Sequence, residues 1–119
     1  MSPERARVFY IEDDPNHGFL IGKFLELSGH VVVGSATNLS DALNGVDNFN
    51  ELKVDVAIID GNLNSFDASG NDGRLVLDTI KKIAPHVKTI GMSANHFPET
   101  DVDLGKENLI NIGGVVNNL

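Results

Sequence analysis

Residues 8–15 of the chain read Val-Phe-Tyr-Ile-Glu-Asp-Asp-Pro, and this stretch decides how the rest of the sequence is interpreted. Its first four residues are β-branched or aromatic, which is typical of a buried strand. The acidic residues that follow indicate a polar turn, in which Asp14 or Asn16 can cap the next helix. Apolar residues then recur at helical spacing until Gly29, which predicts where that helix ends.

The same succession of a strand and a helix repeats along the chain. Residues 31–33 are three valines and predict a second strand, and Ser40 is the expected N-cap of a short amphipathic helix after it. Residues 54–59 read Val-Asp-Val-Ala-Ile-Ile and predict a third strand, which ends at the carboxylate of Asp60. The stretch from 61 to 72 is rich in Asn, Ser, Asp and Gly, so we expect a long loop there.

The second half of the chain continues this pattern less clearly. A third helix is expected from Gly73 to a point before Pro85, because apolar residues recur at helical spacing and proline cannot continue a helix. Residues 87–92 predict a fourth strand. Residues 102–112 fit a fourth helix only loosely, and the two valines at 115–116 are expected to form a very short fifth strand.

Strands that alternate with helices at this spacing predict an α/β fold. Such strands pair in parallel through right-handed crossovers, with helices on both faces of the sheet. In open sheets of this kind, ligands bind outside the carboxyl ends of the strands. The polar residues expected at this edge are Glu12, Asp13, Asp60 and Ser93.

The composition of the chain excludes several classes of function. The 119 residues, 41% of them hydrophobic, fit one domain over 1–119. The formal net charge of −8 disfavours nucleic-acid binding through a broad basic face. Without cysteine there is no disulfide, thiolate zinc site or cysteine nucleophile. The sequence shows neither a membrane-spanning apolar run nor a signal peptide, which predicts a cytoplasmic protein with no membrane partner.

The acidic residues expected at one edge of the sheet suggest a cation site. If the carboxylates of Asp13 and Asp60 approach within about 4 Å, their repulsion is about 4 kcal/mol at an effective dielectric constant of about 20. Oxygen ligands at a partly open site favour Mg²⁺, and the carbonyl of Asn62 is a further candidate ligand. Such an ion attracts a phosphoryl group, so Asp60 is the candidate nucleophile that receives it.

A purely structural role must be weighed against this interpretation, because acidic residues at strand ends are also common helix caps and turn formers. For Asp14 alone, capping is the favoured role. For Glu12, Asp13 and Asp60 together, the coincidence of two strand ends favours a site. For Ser93, a turn residue and a site residue are equally well supported.

These motifs resemble the receiver domain of two-component response regulators over residues 8–93. Residues 8–15 are similar to the first-strand acidic motif of that family, and residues 56–63 to its phosphoacceptor strand. Residues 72–74, Asp-Gly-Arg, resemble the Asp-Gly before the third helix, and residues 92–94, Met-Ser-Ala, the switch motif of the fourth strand. The order and spacing of these pieces carry the resemblance, since none is specific alone.

The resemblance implies a fold and a set of roles. The fold is a flavodoxin-like, doubly wound, five-stranded parallel sheet with five helices. By the same resemblance, Asp60 accepts phosphate from a histidine kinase or a histidine phosphotransfer protein. Glu12, Asp13, Asp60 and Asn62 would bind Mg²⁺, and the hydroxyl of the switch residue Ser93 would bond the phosphoryl group.

The sequence departs from the family pattern after the phosphoacceptor and near its end. Asn64 stands where the family usually has proline, and the loop around it is longer. The family's lysine at the end of the fifth strand has no clear equivalent, and Asn117 occupies its expected position as a replacement. Lys106 is the second candidate for that cation, although a solvated charge on the fourth helix is its simpler interpretation.

The end of the chain gives a further expectation. Leu119 follows directly after the predicted fifth strand and leaves no residues for the family's fifth helix. One flank of the sheet would then be uncovered, which predicts a homodimer or another partner through the side formed by the fourth helix and fifth strand. A fragment of a longer chain is the alternative explanation.

The leading interpretation is a phosphoacceptor receiver that signals by protein–protein contact and is not an enzyme. The first alternative is a pseudo-receiver, a binding module that works without phosphorylation. A small Mg²⁺-dependent phosphohydrolase is less favoured, because Asn62 stands where a general acid is needed. We interpret the histidines as surface or helix-end residues, because they lack metal-ligand spacing. They are His17, His30, His86 and His96.

Overall fold

The computed structural model of the chain describes residues 6–59, 71–92, 100–104 and 111–117. The described residues form one parallel sheet with helices on both faces. The strands are β1 (Arg7–Ile11), β2 (Val31–Ala36), β3 (Val56–Ile59), β4 (Lys88–Gly91) and β5 (Val102–Asp103). The helices are α1 (Pro15–Leu27), α2 (Leu39–Val46), α3 (Phe49–Leu52), α4 (Asn71–Ile83) and α5 (Ile112–Asn117).

The sheet has the strand order β2-β1-β3-β4-β5, and every neighbouring pair is parallel. This order is that of a doubly wound, flavodoxin-like sheet, whose winding direction reverses between β1 and β3. The predicted fold class is therefore confirmed. The reversal point matters for function, because ligands in such sheets bind beyond the carboxyl ends of the strands on either side of it.

Alternation along the strands divides the core between the two faces of the sheet. In β1, Phe9 and Ile11 face α2, α3 and α4, where the ring of Phe9 lies 5.0 Å from that of Phe49. Val8 and Tyr10 face α1 and α5 on the other side. Successive side chains of a strand point to opposite faces, so the sequence of β1 alone supplies both cores.

The pairing of β1 with β2 contains one irregularity. Val8 pairs with Val32, but Phe9 pairs with Gly34, so Val33 is an extra residue on the edge strand β2. This is the arrangement of a β-bulge. A Cβ at Gly34 would lie 2.7 Å from the Phe9 ring, which explains why the residue beside the bulge is glycine.

The two ends of α1 are fixed by the residues that the sequence indicated. Asp14 Oδ1 accepts hydrogen bonds from the backbone N–H groups of Asn16 and His17, at 2.9 and 3.4 Å, so the N-cap is Asp14. Beyond the last turn, Gly29 adopts a φ of 86°, which glycine reaches without steric cost. Both predicted boundaries of this helix are confirmed.

The cap of α2 differs from the prediction. Asn38 Oδ1 accepts a hydrogen bond from the backbone N–H of Asp41 at 2.8 Å, so Asn38 is the N-cap and Ser40 lies inside the first turn. Asparagine and serine cap helices about equally well, and the extended backbone of Asn38 decides between them here. The third helix, α4, likewise begins at Asn71 and not at Gly73.

The largest correction concerns the end of the chain. Val102–Asp103 form the fifth strand beside β4, and Leu104 extends the pairing by donating its N–H to the carbonyl of Gly91 at 2.9 Å. Neither a helix over 102–112 nor a strand at 115–116 is therefore correct. The two valines belong to α5, in which Ile112 and Val116 lie one helical turn apart and are both buried.

The position of α5 changes two further expectations. Asn117 is the last residue of this helix and does not follow β5, so its assignment as the replacement for a strand-end lysine is wrong. The fifth helix, expected to be absent, is present and packs its buried residues into the same core as α1. The prediction of a homodimer through an uncovered flank thereby loses its basis.

Within the described ranges, no helix is both long enough and apolar enough to cross a bilayer. The predicted loop over 61–72 falls mostly outside those ranges, and its last two residues belong to α4.

Candidate functional site

The carboxyl ends of four strands lie in one row. Ile11 of β1 pairs with Ile59 of β3, Ile59 pairs with Gly91 of β4, and Gly91 pairs with Asp103 of β5. Neighbouring strands are about 4.8 Å apart, so this row is a continuous edge of the sheet. The candidate site is built from the residues that follow this row in the chain.

Glu12 follows β1 and is the buried acidic residue of this edge. Its backbone N–H donates to the carbonyl of Ala36 at 3.0 Å, which continues the pairing with β2 beyond the last strand residue. The alternation that turns Val8 and Tyr10 toward α1 brings the Glu12 side chain to that face as well. Only 1% of Glu12 is exposed, and a carboxylate withdrawn from water needs hydrogen-bond donors or a cation.

His17 meets that need within the described residues. Its Nδ1 atom contacts Glu12 Oε1, and 18% of the His17 side chain remains exposed. Because Asp14 caps the backbone N–H of His17, the first turn of α1 fixes the base of this side chain beside the end of β1. A buried carboxylate and a partly exposed imidazole therefore share one corner of the site.

The contact between His17 and Glu12 was missed by sequence reasoning. The sequence predicts a surface or helix-end position for His17, because no metal-ligand spacing connects it to another histidine. A signal was available in the predicted cap at Asp14, since it makes His17 the third residue of the helix. A side chain at that position can reach back over the cap, as glutamate does in a capping box.

The remaining predicted site residues divide into two groups. Asp13 follows Glu12 directly and is half-buried at the same end of β1. Asp60 and Asn62, which follow β3, and Ser93, which follows β4, lie outside the described residues, as does Lys106. In the ranges that the structure covers, no three acidic or histidine side chains form a metal-binding cluster.

The chain matches the model of one protein family. The response regulator receiver domain matches residues 8–109, which is most of the 119-residue chain. No curated protein sequence matches significantly.

Several solved structures share the fold. The RcsB response regulator of Salmonella typhimurium has a TM-score of 0.74 and 21% identity, covering 94% of this chain and 58% of its own. PhyR from Brucella abortus has a TM-score of 0.72 and 22% identity, with coverage of 96% and 49%. The complex of CheX and CheY with BeF₃⁻ and Mg²⁺ from Borrelia burgdorferi has a TM-score of 0.64 and 17% identity, with coverage of 76% and 63%.

The chain thus spans a little more than half of the RcsB chain. The family model reaches all five strands of the observed sheet, from Val8 in β1 to beyond β5. The strand order agrees with this match. The chain belongs to the response regulator receiver domain family.

Proposed function

We propose that the chain is a phosphoacceptor receiver, in which Asp60 takes up a phosphoryl group in the presence of Mg²⁺. The observation that carries the proposal is the pairing of Ile11 with Ile59. Glu12 directly follows Ile11 in the chain, and Asp60 directly follows Ile59. A trans peptide places consecutive Cα atoms about 3.8 Å apart. An acidic residue therefore follows each of these two paired residues in the chain, where the winding direction of the sheet reverses.

Glu12, Asp13, Asp60 and the carbonyl of Asn62 would bind the ion. This donor set consists of oxygen atoms alone, which is the set that Mg²⁺ prefers, so the residues fit the ion. When bound, Mg²⁺ supplies positive charge that offsets both the repulsion among the carboxylates and the charge on a phosphoryl group. These residues would hold the ion through their oxygen atoms.

The proposed reaction is a phosphoryl transfer from histidine to aspartate. A carboxylate oxygen of Asp60 forms a bond to phosphorus while the bond between phosphorus and the donor imidazole nitrogen breaks. The electron pair of that bond stays on the nitrogen, and Asp60 becomes an acyl phosphate. The donor is a phosphohistidine of a histidine kinase or of a phosphotransfer protein. The chain acts as a signalling module, and water later hydrolyses the acyl phosphate.

We assign the cation that pairs with the phosphoryl group to Lys106 instead of Asn117. The fifth strand ends at Asp103, and Lys106 is the first basic residue after it, whereas Asn117 belongs to α5. An ammonium group forms a charge-assisted hydrogen bond to a phosphoryl oxygen, worth about 1.5 to 3 kcal/mol. The hydroxyl of Ser93 is the proposed second partner. It follows Met92, whose N–H donates to the Ile59 carbonyl at 2.9 Å.

The deciding experiment is phosphorylation in vitro. We expect acetyl phosphate and Mg²⁺ to add the mass of one phosphoryl group to the wild-type protein and to the control Asp78→Asn, which changes an exposed residue of α4. Asp60→Asn should add none. An unmodified wild type, or an adduct that persists in Asp60→Asn, contradicts the proposal and favours a binding module that works without phosphorylation.

The assignment of the cation has its own test. BeF₃⁻ serves as the phosphomimetic in a structure of the isolated receiver domain of RcsB, and here it would report binding by shifts in the NMR spectrum. Lys106→Ala should weaken the BeF₃⁻ response at least about ten-fold, as expected for loss of a charged hydrogen bond. Asn117→Ala, the matched control, should leave it unchanged. An unchanged response in Lys106→Ala, or a weaker one in Asn117→Ala, would contradict the assignment of Lys106.

A further inference from the structure

We infer that His17 is an internal partner of Glu12 that a divalent cation displaces when it binds. This inference rests on the proposed function, because the cation is the Mg²⁺ of the proposed site. It concerns a residue outside the proposed ligand set and gives it a positioning role. His17 would hold the carboxylate of Glu12 in the cation-free protein and release it on loading.

Glu12 lies in a buried environment beside α1. Its side chain is almost fully buried, and its Oε1 atom is in contact with Nδ1 of His17. The imidazole N–H is a donor that offsets part of the cost of keeping a carboxylate out of water. The cation-free site is thus stabilised by a contact between a strand end and a helix.

Glu12 and His17 are anchored through their backbones. The backbone of Glu12 is held by its hydrogen bond to Ala36, and the backbone of His17 is held by the cap at Asp14. The imidazole is 18% exposed, so rotation of its side chain can carry the ring toward solvent. The two backbones can keep their positions while Oε1 and Nδ1 separate.

Ligation of a cation by Glu12 also has a geometric requirement. Glu12 continues the extended backbone of β1, and consecutive side chains of an extended chain point to opposite sides. One cation shared by Glu12 and Asp13 therefore requires the Glu12 carboxylate to turn away from the α1 face, where His17 lies. Mg²⁺ also demands oxygen ligands at about 2.0 to 2.1 Å in octahedral geometry, and the ring already occupies the approach to Oε1.

The competing arrangement is one in which His17 supports the bound state. Metal-ligating carboxylates are often oriented by an outer hydrogen-bond donor, and removal of such a donor weakens metal binding about 10- to 100-fold. Displacement predicts the opposite sign, because removing a competitor strengthens binding. The direction of the change in affinity therefore separates the two arrangements.

The first measurement follows the histidine ring resonances of the wild-type protein by NMR during a MgCl₂ titration at constant pH. The backbone amide of Asp13 reports binding. We expect the His17 ring signals to move together with that amide. The rings of His30, which is buried, and of His86, which is exposed on the loop after α4, are internal controls and should not move.

The second measurement compares Mg²⁺ affinities by calorimetry. His17→Ala should bind about ten-fold more tightly, which corresponds to about 1.4 kcal/mol. His17→Gln keeps an N–H donor and should stay within about two-fold of the wild type. Asn16→Ala is the matched control, since this exposed residue shares the Asp14 cap, and its affinity should not change.

The outcomes separate this inference from the proposed function. If the Asp13 amide responds to Mg²⁺ while the His17 ring does not, or if His17→Ala binds more weakly, displacement is wrong and the proposed site stands. If no signal responds to Mg²⁺, both are wrong. The wild-type titration decides the question even if a substituted protein folds poorly.

Discussion

The two ends of α1 each lie beside a histidine, and these histidines have different partners. At the N-terminal end, the partly exposed His17 contacts the carboxylate of Glu12. Beyond the C-terminal end, His30 is only 4% exposed, and both of its ring nitrogens form hydrogen bonds to backbone groups. Its Nδ1 accepts from the N–H of Ala6 at 3.0 Å, and its Nε2 donates to the carbonyl of Gly113 at 3.3 Å.

The two ends of the helix therefore have different roles. The backbone partners of His30 belong to the start of the sheet and to α5, so this end joins three elements and has a structural role. The partner of His17 is a side chain that can bind other groups, so this end can respond to a ligand. We therefore expect substitutions beyond the C-terminal end to change stability, and substitutions at His17 to change ligand binding.

The most severe test of this separation is Gly113→Ala. A Cβ at Gly113 would lie 1.7 Å from Ser28 Oγ and 2.5 Å from Ser28 Cβ, so α5 would have to move away from α1. We expect the free energy of unfolding to fall by about 2 to 3 kcal/mol, measured by urea denaturation. Gly114→Ala, whose Cβ meets nothing within 4 Å, should be neutral or stabilising.

If Gly113→Ala also altered Mg²⁺ affinity, the two ends would not be independent. A second substitution, Ser28→Gly, removes the atoms in the way and should recover part of the lost stability. Failure of this rescue would mean that the close contact is not the cause.

A somewhat smaller effect is expected from His30→Ala. The N–H of Ala6, which is fully buried, would lose its acceptor, and an unsatisfied buried donor costs about 1 to 3 kcal/mol. Thermal unfolding should show a lower midpoint than in the wild type. His86→Ala, at an exposed position, should change stability by less than about 0.5 kcal/mol. Equal effects of the two substitutions would contradict the structural role of His30.

At the other end of the helix, Asp14→Ala should cost about 1 kcal/mol, because it removes the acceptor for two backbone N–H groups. Asp14→Asn keeps a capping oxygen and should lose much less stability. The same cap fixes the base of His17, so Asp14→Ala should also disturb the His17 ring resonances. A change in stability without that disturbance would show that the cap does not position the imidazole.

The smallest expected effect lies in the middle of the helix. Gly22→Ala adds a methyl group into open space and replaces a poor helix former, which should stabilise the protein by up to about 1 kcal/mol. Gly18→Ala makes the same change where the Cβ would lie 3.1 Å from the Tyr10 ring, so its gain should be smaller or absent. Chemical denaturation of both variants measures the difference. Equal gains in stability would show that the Tyr10 ring can move aside without a loss of stability.

The sequence was most informative where strands are long and apolar. The sequence alone could predict four of the strands, the Asp14 cap and the end of α4 before Pro85. Runs of apolar residues and proline carry local signals for such features. The fifth strand has two residues, which is too short for an alternating pattern to be recognised. The two glycines in α5 suggested a break in a helix, whereas Gly113 lies so close to Ser28 that a Cβ there would be 1.7 Å from its Oγ.

The candidate site could be predicted only in part, for a similar reason. The carboxylates after β1 follow from the strand pattern, and of the two Glu12 is the buried one. The contact of His17 depends on how the first turn of α1 is capped, which residue spacing alone does not reveal. The position of Lys106 relative to the site could not be judged from sequence, because it depends on identifying β5.

The bulge at Val33 has a consequence for the behaviour of the protein in concentrated solution. An edge strand offers unpaired backbone groups to which the strand of another molecule can add, and β2 is a six-residue edge that begins with three valines. The extra residue interrupts the regular spacing of those groups and increases the local twist. The opposite edge, β5, is only two residues long. Each edge of the sheet is thus a poor template for edge-to-edge aggregation.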